Sequence, residues 1–345
     1  MKGNGKHIAI WILLILATVA FFIFDLLLGS VKIPFQDVIS ILFGGESEKE
    51  SWSRIVLDFR TPKAITALMV GAGLGLSGLQ MQTLFRNPLA GPFVLGISTG
   101  ASLGVALLVL AGGAGILTSL GIFGNWIMVS AAILGSFLIF LIIISVSFRV
   151  KDSTSLLILG LMFSSVSGAL VTILQFFSQA EQIQSYLIWT FGSLGGNSWQ
   201  ELFIFIPVVF FGILLTLLGI KHLNALLLGE NYASSMGMNT KNVRTWIILT
   251  TCILAGTITA FCGPIAFIGL AIPHMSRLIF RSSNHAILVP ATLLIGAAMM
   301  LFCDIIAQLP GSEKTLPINA VTSLIGAPFV IWLIIGRKKE RPLSL

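Results

Sequence analysis

The sequence has little charge. Asp, Glu, Lys and Arg make up 10% of its 345 residues, whereas hydrophobic residues make up 56%. A soluble globular domain carries about 25% charged residues, so this chain has too few of them to cover a water-facing surface. The mean hydropathy of +1.00 agrees with this. The composition excludes a soluble domain and predicts a polytopic membrane protein.

The sequence also lacks a continuous basic run, although its net charge is +7. Its Lys and Arg residues are dispersed between apolar segments, a pattern typical of membrane topology rather than of nucleic-acid binding. We therefore expect membrane lipid, and not nucleic acid, to contact the chain.

Cysteine and histidine are scarce, with three and four residues respectively. Cys252, Cys262 and Cys303 all lie in apolar segments without metal-ligand spacing, so we interpret them as small core residues. The histidines are far apart in the sequence and form no HExxH-type pair. The sequence predicts neither a bound metal nor a cofactor.

The usual elements that power active transport are missing as well. There is no G-x-x-x-x-G-K-S/T loop to hold a nucleotide. Nor is there a chain of buried carboxylates, histidines or lysines of the kind that couples a carrier to an ion gradient. Asp304 is the nearest candidate, but it lies about one turn from the outer end of its predicted helix. There we expect it to snorkel or to pair with a neighbouring polar group. The chain is therefore predicted to perform no covalent chemistry and to take its energy from a partner.

Long apolar runs are abundant instead. A bilayer-spanning helix needs about 20 apolar residues. The first run is too long for the apolar region of a signal peptide, and no cleavage site follows it, so we interpret it as a retained span. One long stretch is divided at Gly263–Pro264, because proline ends or kinks a helix. The ten predicted spans are 8–28, 62–83, 92–111, 126–148, 156–177, 202–220, 245–262, 265–280, 286–308 and 318–336.

Basic residues are distributed unevenly between the segments that connect these spans. With the N-terminus inside, fourteen of the twenty Lys and Arg residues lie on the inner side. Because inner segments carry the excess of Lys and Arg, both termini are predicted to be cytoplasmic. The six outer residues are Lys32, Lys49, Arg54, Arg60, Lys63 and Lys314.

Two polar segments between spans have a recognisable character. Lys221–Arg244 is the longest predicted cytoplasmic connection, and its central part reads as two short amphipathic pieces broken at Gly229. On the outer side, Ser178–Glu201 carries aromatic residues that suit the membrane interface. We expect a short interfacial helix there, followed by a turn at Gly195–Gly196.

Many of the 35 glycines are spaced for close contact between helices. Small residues along one face let helix backbones approach each other in lipid, where the hydrophobic effect does not drive association. We therefore expect packing, rather than substrate contact, from the glycines of the second and third spans: Gly71, Gly73, Gly75, Gly78, Gly96, Gly100 and Gly104.

Four stretches in this order resemble the permease subunits of the ABC importers that take up ferric siderophores, haem and cobalamin in bacteria. The resemblance extends from about Arg54 to Ile335. The stretches are Arg60–Lys63, Gly73–Ser102, Leu223–Asn239 and Gly263–Phe280, with Asp304 and Leu324–Ile334 behind the last.

The resemblance implies an all-α, type II ABC-importer permease of about ten transmembrane helices. The whole chain, 1–345, would be one transmembrane domain with a cytoplasmic coupling segment at about 221–244. It implies a homodimer, or a related pair, in the bacterial inner membrane, with two copies of an ATP-binding subunit and an extracytoplasmic substrate-binding protein as partners. The implied cargo is an iron chelate, either a ferric siderophore or haem; cobalamin is the alternative.

The resemblance also assigns site residues. Those for coupling to the ATPase are Leu228, Gly229, Glu230, Ala233 and Gly237, although Asn231 stands where many relatives have a second acid. Those for docking the binding protein are Arg60 and Lys63, for which a role as interfacial anchors stays open. Those for the cytoplasmic gate are Asn87, Leu89, Ser153 and Thr154, and a simple turn at Asn87–Pro88 stays open. His274 is interpreted as structural.

Two other classes of protein remain to be distinguished. A secondary carrier would need a coupling-ion site in a broken helix, for which Gly263–Pro264 is the obvious candidate. A passive channel would need a repeated polar or charged ring, which the sequence does not show.

Overall fold

The computed structural model describes residues 2–45, 47–112, 124–150, 153–312 and 314–337. These residues form helices joined by short connections, and no β-strand occurs among them. The helices are α1 (Lys2–Leu27), α2 (Phe35–Leu42), α3 (Glu50–Leu84), α4 (Ile97–Val109), α5 (Asn125–Ser147), α6 (Ser153–Phe177), α7 (Ala180–Thr190), α8 (Trp199–Leu218), α9 (Ile220–Leu227), α10 (Glu230–Ser235), α11 (Thr240–Cys262), α12 (Ile268–Phe280), α13 (His285–Ala307) and α14 (Ile318–Arg337).

Each of the ten predicted spans coincides with one of these helices. In the described part of the chain, seven helices are long and apolar enough to cross a membrane, and α4, α12 and α14 contribute shorter apolar helices. The fold class predicted from the sequence is confirmed.

Several span boundaries differ from the prediction by a few residues, and two of them have a cause in the backbone. The second span begins at Glu50 rather than at 62, because a π-helical turn at Ile55–Arg60 joins the polar Glu50–Arg54 turn to the apolar helix without a break. The third begins at Ile97 rather than at 92. Pro92–Leu95 forms a 3₁₀ turn that ends at Gly96 with φ of +76°, so the α-helix cannot begin earlier.

The central helix of the bundle is α3. Every residue from Met69 to Leu84 is buried, the pattern of a helix that is surrounded by other helices on all sides. It packs against α8, α11, α12 and α13. Helix α3 is therefore in direct contact with four other membrane helices.

Glycines allow the closest of these contacts. A methyl group added at Gly71 would lie 2.0 Å from the carbonyl oxygen of Gly296 on α13, and one added at Gly78 would lie 1.6 Å from that of Gly269 on α12. In the same way, Gly104 of α4 faces Ala131 of α5, whose carbonyl oxygen would lie 2.1 Å from an added methyl group. These contacts confirm that glycines of the second and third spans serve helix packing.

The predicted helix break and the predicted outer segment are also present. Helix α11 ends at Cys262, and Gly263 adopts φ of +74°. A methyl group added at Gly263 would lie 2.6 Å from the Trp189 carbonyl oxygen, so no larger residue fits there. Between Ser178 and Glu201, helix α7 is followed by a turn at Gly195–Gly196. The cysteines are free thiols, with Cys262 and Cys303 buried in the core as expected.

Candidate coupling, gate and docking sites

The coupling segment, Lys221–Arg244, folds as two short helices at one end of the bundle. Helix α9 ends at Leu227, Gly229 follows with φ of +105°, and α10 begins at Glu230. Gly237, with φ of +86°, then redirects the chain toward α11. Both glycines occupy backbone conformations that L side chains rarely adopt. The two pieces and the break at Gly229 are as predicted.

The two helices of this segment have one buried and one exposed face. Leu223 and Leu226 of α9 pack into the bundle, whereas Leu228 is 61% exposed. Tyr232 and Met236 are exposed on the same segment. The result is a group of large apolar side chains outside the packed core, at the end of the bundle that the sequence predicts to be cytoplasmic.

Ala233 was assigned to the same site by sequence, but it is turned inward. Its relative exposure is 0%, and its backbone N–H donates to the carbonyl of Gly229. Ala233 therefore positions α10 against the bundle rather than presenting a surface, since a short helix must bury one side in order to stay in place.

Glu230 has an intramolecular partner that sequence reasoning missed. Its carboxylate accepts hydrogen bonds from Nη2 of Arg244, with the salt-bridge distance at 3.0 Å, and the Arg244 side chain is 6% exposed. Nη1 of Arg244 donates to the carbonyl of Val150 at 2.9 Å. One guanidinium thus ties α10 to the start of α11 and to the end of the α5 segment. The only sequence signal was a basic residue at the end of a polar segment.

The candidate gate loop, Asn87–Leu89, follows α3 directly. Oδ1 of Asn87 accepts a hydrogen bond from the Leu89 backbone N–H at 2.9 Å, and Leu89 is exposed. Nε2 of the buried His274 donates to the Pro88 carbonyl at 2.7 Å. The structural interpretation of His274 is thereby supported, because its ring holds the gate loop against α12.

The other two predicted gate residues begin α6. Thr154 is exposed on its first turn, while the side chain of Ser153 lies outside the part of the chain that the structure describes. The hydrogen bond formed by Asn87 joins it to Leu89 rather than to Thr154. Within one chain, this hydrogen bond therefore does not connect the loop Asn87–Leu89 to the start of α6.

Arg60, one of the two predicted docking residues, forms its hydrogen bonds within the chain itself. Its guanidinium donates to the carbonyls of Leu26, Leu27 and Val31, and the residue is 8% exposed. Leu26 and Leu27 lie in the last turn of α1, where helical backbone acceptors lack intrahelical partners, and Val31 follows that helix. Arg60 therefore caps α1 in this structure, and its role in docking a binding protein stays a prediction.

Lys63, the second predicted docking residue, forms an ion pair. Its Nζ lies 3.0 Å from Oδ2 of Asp304, which confirms the expectation that Asp304 pairs with a polar neighbour. Nε2 of Gln308 donates to Oδ2 of Asp304 at 3.0 Å and to Oδ1 of Asp25 at 2.6 Å. Sequence reasoning missed Asp25, because nothing in the pattern of α1 indicates which residue of α13 it meets.

This outer cluster, Asp25, Lys63, Asp304 and Gln308, lies at the end of the bundle opposite the coupling segment. Lys63, Asp304 and Gln308 line a cavity of about 680 Å³ together with Arg60. The cavity is open, and Lys63 is its partly exposed cation, with a side chain 22% exposed against 3% for Asp304. Lys63 is therefore the most exposed charged residue among those that line the cavity.

These features define a class. Within the described residues, ten apolar helices form a bundle around one buried helix, and the coupling segment forms an elbow of two short helices at one end. The sequence contains no nucleotide-holding loop. This is the architecture of an ABC-importer permease. The chain belongs to the FecCD transport family, which matches residues 15–336. It is a multi-span membrane protein and a transport subunit rather than an enzyme, and a permease of this class works with a separate ATPase.

Comparisons with individual proteins agree with this family. The chain is 37% identical over 283 residues to the vitamin B12 import system permease BtuC of Klebsiella pneumoniae, covering 81% of this chain and 82% of that one. It is 32% identical over 315 residues to the hemin transport system permease HmuU of Yersinia pestis, covering 91% of each. A solved inward-facing structure of a metal-chelate type ABC transporter superposes with a TM-score of 0.82 at 30% identity, covering 95% of this chain and 99% of that chain.

Proposed function

We propose that this chain is one permease domain that imports a bulky metal chelate across the bacterial inner membrane, with both termini in the cytoplasm. ATP binding and hydrolysis on a separate subunit drive it, through the coupling segment. The observation that carries the proposal is the exposed apolar group Leu228, Tyr232 and Met236 on an otherwise polar elbow. Large apolar side chains that cluster on a water-facing segment are typical of protein–protein contact.

In this proposal Leu228, Gly229, Glu230 and Gly237 form the ATPase-facing part of the elbow, and Ala233 supports it from inside. The positive φ of Gly229 places Leu228 at the corner between α9 and α10. The ion pair between Glu230 and Arg244 keeps α10 attached to α11 when the ATPase subunit displaces the elbow. A displacement of Leu228 is then transmitted to α11 through the ion pair between Glu230 and Arg244.

The gate is proposed to consist of Asn87, Leu89, Ser153 and Thr154 from two permease copies. The loop of Asn87 and Leu89 is exposed at the same end of the bundle as the elbow, and Thr154 begins α6 there. Short polar side chains at this position allow an aqueous exit without holding the cargo tightly.

A second copy of this chain is proposed to complete the pathway. Helices α6 and α14 expose more apolar surface than a central helix such as α3, and α6 includes Phe176 and Phe177, each 82% exposed. The copies would place α6 and α14 along the path between them. The most exposed apolar residues of these helices are Ile158, Met162, Val166, Ile173, Phe176, Phe177, Leu324, Ile331, Trp332 and Ile335.

On the outer side, a substrate-binding protein is proposed to dock at the cavity lined by Lys63. Arg60 shapes this cavity through its contacts with α1, and Lys63 supplies the charge. Lysine provides a point charge rather than the bidentate fork of arginine, so a single acidic side chain of the binding protein suffices as its partner.

The proposed cargo is an iron chelate, a ferric siderophore or haem, and cobalamin is the second candidate. Relatives named for haem and for vitamin B12 support these two classes to a similar degree. Uptake assays with haemin, a ferric hydroxamate siderophore and cyanocobalamin, each with its binding protein, separate them.

The coupling assignment is tested by Gly229→Trp in the complex with the ATPase subunit. Tryptophan cannot adopt φ of +105° without strain and would approach Nη1 of Arg86, which lies 3.4 Å from the position of an added methyl group. Stimulation of ATP hydrolysis by the loaded binding protein is expected to be lost. Gly124→Trp is the matched control, since Gly124 also has positive φ (+62°) but lies in open space at the opposite end. Unchanged stimulation in Gly229→Trp would remove the assignment.

A further inference from the structure

A hydrogen-bond chain, half-buried at Asn224 and buried at His285 and Thr83, connects the coupling segment to the end of α3. Oδ1 of Asn224, on α9, accepts from the backbone N–H of His285 at 2.8 Å and is 2.9 Å from its Nδ1. Nε2 of His285 is 2.8 Å from Oγ1 of Thr83, in the last turn of α3. Three elements that are distant in sequence therefore meet in one polar bridge, Asn224–His285–Thr83.

The proton positions in this bridge follow from its chemistry. An amide oxygen only accepts, so Nδ1 of His285 donates to Asn224. Nε2 is then the acceptor of the neutral ring. The hydroxyl oxygen of Thr83 lies 2.8 Å from both this nitrogen and the Leu79 carbonyl oxygen, so its single proton is shared between the two acceptors. Each link has one donor and one acceptor, so removing either end leaves a buried imidazole nitrogen without a partner, which is costly in a low-dielectric interior.

The bridge is rigidly placed. His285 is 0% exposed and Thr83 is 3% exposed. On the other side, Nδ2 of Asn224 donates to Oδ1 of Asn284 at 3.0 Å, and the same oxygen caps the first turn of α13 by accepting from the Ala286 N–H. A displacement of α9 therefore acts on the start of α13 and, through His285, on the end of α3.

A second contact joins the same two regions. The guanidinium of Arg86 lies against Gly229, at 3.4 Å from where a methyl group would be. Arg86 itself has φ of +46°, a left-handed conformation that is uncommon for a residue with a side chain. It directly precedes the gate loop. The corner of the elbow and the start of the gate loop are thus in contact, alongside the bridge.

We propose that Asn224, His285 and Thr83 are positioning residues that transmit displacement of the coupling segment to the gate loop Asn87–Leu89 through the last turn of α3. This rests on the proposed function, which supplies the ATPase that moves the elbow and the gate that responds. The bridge makes no contact with ATP or cargo. The bridge couples a displacement of α9 to a displacement of the last turn of α3.

The test measures gate movement without needing the cargo. The permease carrying Leu89→Cys is assembled with its ATPase subunit in proteoliposomes, and labelling by a membrane-impermeant maleimide is timed with and without ATP and vanadate. Leu89 is exposed, so a cysteine there reacts readily. Thr83→Val, of equal size but without the hydroxyl, and Asn224→Ala are expected to reduce the ATP-dependent change in labelling rate about five-fold, while the Thr83→Val complex continues to hydrolyse ATP.

Two further variants separate transmission from general packing. Thr83→Ser keeps the hydroxyl and is expected to restore the response. Thr66→Val removes a buried hydroxyl from the same helix, but one that bonds only to the Pro62 carbonyl a turn earlier, and is expected to leave the response intact. Equal ATP responses in Thr83→Val, Asn224→Ala and the unmodified bridge would overturn this inference. So would an equal loss in Thr66→Val.

The outcome also distinguishes this inference from the function on which it rests. If the Leu89→Cys complex with an intact bridge shows no ATP-dependent change at all, the gate and coupling assignments fail, and the inference with them. If that complex responds and the bridge variants respond equally, only the bridge is wrong.

Discussion

Lys63 and Asp304 form an ion pair, with Nζ 3.0 Å from Oδ2, that joins α3 to α13 at the outer end of the bundle. Gln308 extends the pair to Asp25 on α1. The residue proposed to capture the binding protein therefore also stabilises the permease, and these two roles can be separated experimentally.

Lys63→Gln is expected to lower the stability of the permease, because it leaves the buried Asp304 carboxylate without its cation. Removing one partner of a buried pair costs about 3–5 kcal/mol, and the partial exposure of Lys63 places the expected loss at the lower end. Thermal unfolding in detergent measures it. The double variant Lys63→Gln/Asp304→Asn removes both charges and is expected to recover most of the loss.

The affinity of the permease for the binding protein then decides whether Lys63 contributes to docking. Both the single and the double variant are expected to lose affinity, since neither presents a cation in the outer cavity. Lys32→Gln, which removes an exposed outer cation elsewhere, should retain it. If the double variant recovers affinity together with stability, Lys63 is an anchor only.

Breaking the Glu230–Arg244 pair is expected to uncouple the elbow. Arg244→Gln removes the ion pair that ties α10 to α11, at a cost of about 1.5–3 kcal/mol for a charge-assisted hydrogen bond. The binding protein should then no longer stimulate ATP hydrolysis. Arg244→Lys is not expected to restore it, because lysine cannot bond Glu230 and the Val150 carbonyl with one planar fork.

The control for this variant is Arg54→Gln. The N–O distance is 2.9 Å in the Arg54–Glu50 pair and 3.0 Å in the Arg244–Glu230 pair. The side chains of Arg54 and Glu50, however, are both more than 70% exposed. Exposed pairs contribute about 0–1 kcal/mol, so stability and coupling should hardly change. A loss in Arg54→Gln as large as that in Arg244→Gln would argue against a specific role for the elbow pair.

Gly71→Ala is expected to destabilise the bundle strongly, since the new methyl group would lie 2.0 Å from the Gly296 carbonyl oxygen and force α3 and α13 apart. Overpacking costs about 1–3 kcal/mol. Gly256→Ala is the matched change on α11, where the nearest atoms lie at 3.6 and 3.8 Å. It should be neutral or slightly stabilising, as alanine is the better helix former. Comparable melting temperatures for the two variants would contradict the packing role.

Much of the fold could be predicted from the sequence, because the bilayer imposes long apolar helices and proline or glycine marks where they end. The break at Gly263 and the elbow at Gly229 were found for this reason. The π-helical turns at Ile55–Arg60 and Cys252–Gly256 were not, since they change the hydrogen-bond register without changing composition.

The sites were less predictable, because their chemistry depends on which helices meet. Family resemblance selected Arg60, but its capping of α1 depends on three carbonyls about thirty residues earlier in the chain. Asp25 and His285 gave no sequence signal, because their partners lie on other helices, hundreds of residues away in the sequence. The coupling role assigned to Ala233 stays a prediction, and its inward orientation could not be predicted because it depends on how α10 packs.

The measurement that tests the central claim most directly is uphill uptake in proteoliposomes. The permease is reconstituted alone, with proton or sodium gradients, and in parallel with its ATPase subunit, ATP and the binding protein, using haemin and cyanocobalamin as probes. The account predicts accumulation against a gradient only in the complete, ATP-supplied system. Accumulation by the permease alone on an ion gradient would contradict it and would indicate a secondary carrier, while equilibration without accumulation in every arm would indicate a channel.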